Sequence, residues 1–125
     1  MAITLRLLIT LMFMVALLIA SVIPGRFQAG DSVFVWVVAT TPSLVQNVLH
    51  VCLYAILTTL WAWTLEALES VPARLFVALT LAVGFGALME WFQTSIPGRF
   101  GTFYDVMLNT VGATIGLLVA TRVFK

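Results

Sequence analysis

A handful of polar side chains in this 125-residue sequence have the chemistry of a site. His50 and Tyr54 stand four apart. Glu90 and Gln93 stand three apart, Arg99 follows, and Asp105 and Asn109 again stand four apart. Arg26 precedes them all. A guanidinium group offers a planar fork that suits phosphate or carboxylate. A histidine beside a carboxylate can do general acid/base work. No serine or cysteine nucleophile belongs to the set, and its spacing matches no recognised metal-ligand motif. A binding cluster is therefore the leading reading. The catalytic role stays unassigned, and neither a metal nor a cofactor is expected.

The elements that carry these residues are apolar. The chain is 62% hydrophobic and 9% charged, with a mean hydropathy of +1.15. A soluble domain carries about 25% charged residues. Six basic and five acidic residues cannot cover a solvated surface of this size, so lipid must be the solvent for much of the chain. A net charge of +1 gives no reason to expect a nucleic-acid partner. The single cysteine, Cys52, lies in an apolar run and reads as a small buried hydrophobe.

A spanning helix needs roughly 20 mainly apolar residues. Four runs qualify, at about residues 5–23, 43–65, 73–94 and 103–123. The sequence thus predicts an all-α, polytopic membrane protein, a single domain over residues 1–125 with four transmembrane helices in a compact bundle. The run "VFVWVVA" (Val33–Ala39) is too short to span and is expected at the interface or against the bundle. The first run could be a signal peptide. Its core is long for one and "LIAS" (Leu18–Ser21) is a poor cleavage site, so an uncleaved helix is expected.

With four spans, the end of the first, the start of the second, the end of the third and the start of the fourth share one side. Two copies of "IPGRF", at Ile23–Phe27 and Ile96–Phe100, fall there. Pro-Gly stops a helix and suits the centre of a type II turn. The polar residues lie on the same side. At about 100° per residue, His50 and Tyr54 lie within ~40°, Glu90 and Gln93 within ~60°, and Asp105, Asn109, Gly112 and Gly116 within ~60°. At about 1.5 Å per residue, Glu90 sits roughly 10 Å below Pro97, and His50 and Asn109 are similarly deep. Ionisable groups at such depth usually face an interior or a wet cavity, which points the three stripes at one another, with Arg26 and Arg99 at the rim. Plainer readings stand beside this one. Asp105 could only cap its helix, His50 could be a satisfied interior histidine, and Asn109 could be interhelical glue. Trp61, Trp63, Trp91 and Tyr104 read as packing or interfacial anchors. "GATIG" (Gly112–Gly116) lets helix backbones approach, within the chain or between copies, so an oligomer is open.

The spaced string of Glu90, Gln93, Pro97-Gly98-Arg99, Asp105, Asn109, Gly112 and Gly116, with His50 and Tyr54 upstream, resembles the VanZ-like family of small four-helix bacterial membrane proteins. That family is named for a protein linked to teicoplanin resistance. The basic residue usual ahead of its His-x3-Tyr helix is replaced here by Gln46 and Asn47. The resemblance implies an envelope context in the bacterial inner membrane, with a membrane lipid, an envelope precursor or a glycopeptide as the partner. Together with the residues, it favours a polar pocket for an anionic lipid head group or cell-wall precursor. A non-catalytic structural or partner subunit and an intramembrane acid/base enzyme are the alternatives.

Orientation follows from the basic residues. Arg6, Arg74, Arg122 and Lys125 fall on one side, Arg26 and Arg99 on the other. Both termini are therefore expected in the cytoplasm and the polar cluster on the outer side. Reporter fusions after Lys125 and within the Arg26–Thr41 loop should report cytoplasmic and periplasmic locations respectively; the reverse pattern overturns the orientation.

Overall fold

Prolines set most of the helix boundaries in the computed structural model, which describes residues 2–124. Lys125, counted above among the basic residues, lies outside the described residues. Helix α1 (Ile3–Val22) ends where Ile23 turns extended, at φ −66° and ψ 127°, the conformation forced on a residue ahead of proline. A short helix, α2 (Val33–Thr40), stops the same way: Thr41 is extended before Pro42. Pro42 then serves as N-cap of α3 (Ser43–Thr64), which tightens into a 3-10 turn at Leu65–Ala67. Helix α4 (Val71–Gln93) opens on Ser70, whose hydroxyl accepts from the Ala73 N–H, with Pro72 in the first turn. Helix α5 (Phe103–Val123) opens on Thr102.

Four of these helices are long and apolar enough to cross a membrane, α3 being counted through its 3-10 turn. They coincide with the expected spans to within a few residues. The described residues contain no strand, so the all-α reading stands. The short apolar run is a helix despite its β-branched residues. Its Val33, Phe34, Trp36 and Val37 are exposed.

Burial departs from that of a soluble protein. Phe76, Leu118, Met12 and Val123 point outward, while many buried positions are small or polar, among them Ala62, Ala78, Ala82, Ala113, Thr10, Thr58 and Asn109, beside a few large ones such as Leu57 and Tyr54. Hydrocarbon supplies little drive to bury large apolar groups, so small residues that allow close backbone contact form the seams. The closest seam joins α3 to α5. A Cβ on Gly112 would overlap the Val51 carbonyl, and one on Gly116 would overlap the Ala55 carbonyl and crowd Thr58. Both pairs advance by four residues in the same direction, so α3 and α5 run parallel. The Thr59 hydroxyl lies within hydrogen-bond reach of the Gly116 carbonyl, at 3.2 Å. The glycine pair thus packs within the chain.

Cys52 corrects the sequence reading: it is exposed. Val51 and Ala55 face α5, and one residue on from Val51 is about 100° around the helix, on the outer surface. An apolar run gives no sign of which way such a residue turns.

At the end opposite the IPGRF copies, two arginines tie helices together. Arg6 on α1 pairs with Glu66, donates to the Trp63 carbonyl at 3.1 Å, and lies 5.2 Å from the centroid of the Trp63 ring. Arg74 on α4, buried, donates to the Phe124 carbonyl at the end of α5 at 3.0 Å. Between α1 and α3, the hydroxyls of Thr10 and Thr64 meet at 2.8 Å. Each of these bonds satisfies a group that lipid cannot.

Gly112→Leu or Gly116→Leu must push α5 off α3. Overpacking typically costs about 1–3 kcal/mol, so each variant should melt earlier than the parent in detergent. Unchanged melting for both would mean that the two backbones are not in contact.

Candidate functional site

The α3–α5 seam sets the first contact of the site. About one turn before Gly112 on α5 and one residue before Val51 on α3, the Asn109 amide meets the His50 ring, with Asn109 Oδ1 2.7 Å from His50 Nδ1. On its other side, Asn109 Nδ2 points at Glu90 Oε1 of α4 at a long 3.5 Å. An amide that donates to a carboxylate must turn its oxygen to the histidine, so the network assigns the proton to Nδ1 in neutral His50. His50 Nδ1 also lies 3.8 Å from Glu90 Oε1, and His50 Nε2 lies 3.9 Å from Asp105 Oδ1. Three helices therefore converge through one amide. Asn109 is 1% exposed and Glu90 4%.

Small residues let α4 come this close. A Cβ on Gly86 would strike the Tyr54 ring and crowd Asn109 Nδ2, and one on Gly101 would strike the Glu90 backbone carbonyl. Tyr54 is buried with its ring against Gly86. Asp105 has a second duty. Thr102 is the N-cap of α5, its hydroxyl accepting from the Asp105 N–H at 3.1 Å, and the Asp105 carboxylate takes the Thr102 hydroxyl in return at 2.5 Å. This acid in the first turn also suits the helix dipole.

The two IPGRF copies meet, in different conformations. In the second, the Arg99 N–H donates to Ile96 O at 3.0 Å and Gly98 takes φ +74°, a type II turn centred on Pro97-Gly98. The first copy makes no such turn. Its Gly25 N–H donates to Pro97 O at 3.0 Å, and a Cβ at Gly25 would strike the Gly98 carbonyl. The arginines diverge accordingly. Arg99 reaches across to the end of α1, its Nε 3.0 Å from Ile23 O and a terminal nitrogen 2.9 Å from Ala20 O. It caps a helix C-terminus, where a cation is favoured. Burial pulls this guanidinium below its ordinary pKa, and the Glu90 carboxylate partly offsets the fall. Arg26 is exposed, and of the two guanidinium groups expected at the rim of one pocket only that of Arg99 belongs to a residue lining the cavity.

A cavity of about 180 Å³ opens beside this network, between α1, α2, α3 and α4. It is lined by the polar residues Ser21, Thr41, Gln46, His50, Tyr54, Glu90, Gln93 and Arg99 and by the apolar residues Leu17, Ala20, Val38, Leu49, Leu53 and Met89. Asp105, Asn109 and Arg26 lie outside the lining. Asn109 and Asp105 support His50 from behind, and Gly112 and Gly116 hold the seam beneath. Sequence reasoning missed the contributions of α1 and α2: Leu17, Ala20 and Val38 carry no polar signal, and only the fold turns them to the cavity. Among the described residues, no group of three His, Cys, Asp or Glu side chains is placed to hold a metal ion.

A family model described as VanZ/LLP1 matches residues 5–125. The chain belongs to the VanZ-like family, and its long apolar helices are those of a membrane protein. Neither a curated protein nor a solved structure matches it.

The two arginines of the repeat should respond differently to one substitution. Arg99→Gln removes a charged double cap on α1, so the melting temperature in detergent should fall by several degrees, on the scale of about 2 kcal/mol for hydrogen bonds to a charged group. Arg26→Gln should leave melting unchanged. Equal responses would mean that the repeat is a symmetric device.

Proposed function

We propose that this VanZ-like membrane protein works in the bacterial cell envelope by holding one amphiphile in the α1–α4 cavity. The anionic group of a lipid head group or cell-wall precursor sits at Arg99. The rest of the head group lies along His50, Tyr54 and Gln93, and the apolar portion lies along Leu17, Leu49 and Met89. The observation that carries this reading is that one cavity is lined both by polar groups, among them His50, Tyr54, Gln93 and Arg99, and by apolar side chains, among them Leu17, Leu49 and Met89. Arg99 has five N–H donors and uses two nitrogens on α1, which leaves donors for a ligand oxygen. With the basic-residue bias applied, both termini are cytoplasmic in the inner membrane and the cavity faces outward. A contribution to glycopeptide resistance is the expectation attached to the family name, through an envelope molecule held at this site.

A structural role in a membrane complex is the second reading. It is favoured by the fact that Asn109, Asp105 and part of Arg99 are engaged within the chain.

Mass spectrometry of the protein purified in mild detergent separates the two. The parent should retain about one phosphate-bearing amphiphile per chain. Ala20→Phe, which places a ring in the cavity, should lose it without losing the fold. A parent free of any amphiphile, or an Ala20→Phe variant that keeps it, would overturn the binding reading.

A further inference from the structure

Glu90 is the feature that an anion-binding cavity does not explain. A carboxylate repels an anion, yet Glu90 lines the same cavity as Arg99. Its Oε1 is held by Asn109, at 3.5 Å. Its Oε2 is buried with no hydrogen-bond partner among the described residues. Such an orphan acceptor is costly in a low-dielectric interior. The obvious remedy, an ion pair with Arg99, is not made: no Arg99–carboxylate contact within 4.0 Å is present among the described residues. Arg99 is instead drawn away to Ala20 and Ile23 of α1. Helix geometry thus holds a guanidinium and a carboxyl group in the lining of one cavity without letting them close on each other.

Such a wall complements a guest that carries both signs. We infer that the head group held here is zwitterionic: a phosphate at Arg99, and on the same molecule a primary ammonium that donates to the Glu90 carboxylate. This rests on the amphiphile-binding reading above and narrows it. The ammonium gives a carboxylate short of donors a charged one, and the guest's own dipole opposes that of the wall. About 180 Å³ is roughly six water volumes, a space suited to a compact head group with its acyl chains left in the bilayer. The chemistry is that of an aminoalcohol phosphate, borne by a phospholipid or free in solution.

Native mass spectrometry of the whole protein in detergent, with matched dioleoyl lipids in competition, tests this. Phosphatidylethanolamine carries phosphate and primary ammonium. Phosphatidylcholine has the same charges without N–H donors, and phosphatidylglycerol has the phosphate alone. The first should outcompete each of the others by about tenfold, the scale of one charge-assisted hydrogen bond. In the isosteric Glu90→Gln variant that preference should vanish while phosphatidylglycerol binding persists or strengthens. If Glu90→Gln does not fold, the ranking in the parent decides alone. Equal or tighter binding of phosphatidylglycerol or phosphatidylcholine in the parent overturns the zwitterionic head group but leaves the amphiphile reading standing, as does a preference that survives Glu90→Gln. No saturable binding of any of the three overturns both. Free phosphoethanolamine that competes as well as the lipid supports the zwitterion and assigns it to a soluble source; failure to compete supports it as a lipid.

Discussion

The distance between α3 and α5 governs the rest of this structure. Gly112 and Gly116 rest on the carbonyls of Val51 and Ala55, and nothing larger than hydrogen fits between. That contact brings Asn109 to His50, and Asn109 in turn fixes where Glu90 of α4 must stand. A larger residue at either glycine would separate the two helices. The polar network would then stretch beyond hydrogen-bond distance in a medium that offers no replacement partners. Packing and site are one feature here: the seam supplies the geometry, and the amide transmits it to a third helix.

The second constraint is the treatment of helix ends. Each α-helix leaves its last carbonyls unpaired, and near a bilayer these are expensive to abandon. Three arginines address three helices: Arg99 the end of α1, Arg6 the end of α3 and Arg74 the end of α5. Each comes from a different segment than the helix it caps, so the caps also act as ties between helices. Half of the chain's six basic residues thus have a defined intramolecular role. Charge counts that assign topology from such residues are reading groups that also hold the fold together.

Arg99 is the point at which fold and proposed function compete for one group. Its reach toward α1 closes one side of the cavity and keeps it off Glu90. A direct Arg99–Glu90 pair would neutralise the cavity wall and leave it little affinity for a charged guest. The repeat resolves the competition by dividing labour. One copy offers a turn and a capping arginine; the other offers a glycine narrow enough to receive that turn, and an arginine left exposed.

Much of this was determined by the sequence alone. Four apolar runs bounded by Pro24, Pro42, Pro72 and Pro97 fix four spans, because proline and hydrocarbon thickness act locally and leave few alternatives. The spacing of His50, Glu90, Asp105 and Asn109 places them at one end of the bundle, since helical rise and rotation are constant. The tertiary structure decided everything that depends on how far apart helices stand and how they rotate. In an apolar run both faces of a helix look alike, so Cys52 could turn to the outside while Val51 met α5. Identical IPGRF segments could adopt different backbones, because one takes the turn its own Pro-Gly favours and the other is shaped by packing against that turn. The cavity needed α1 and α2, whose apolar lining residues Leu17, Ala20 and Val38 differ from their neighbours mainly in direction. Direction is set by close packing between helices, a long-range property that no local pattern of residues encodes.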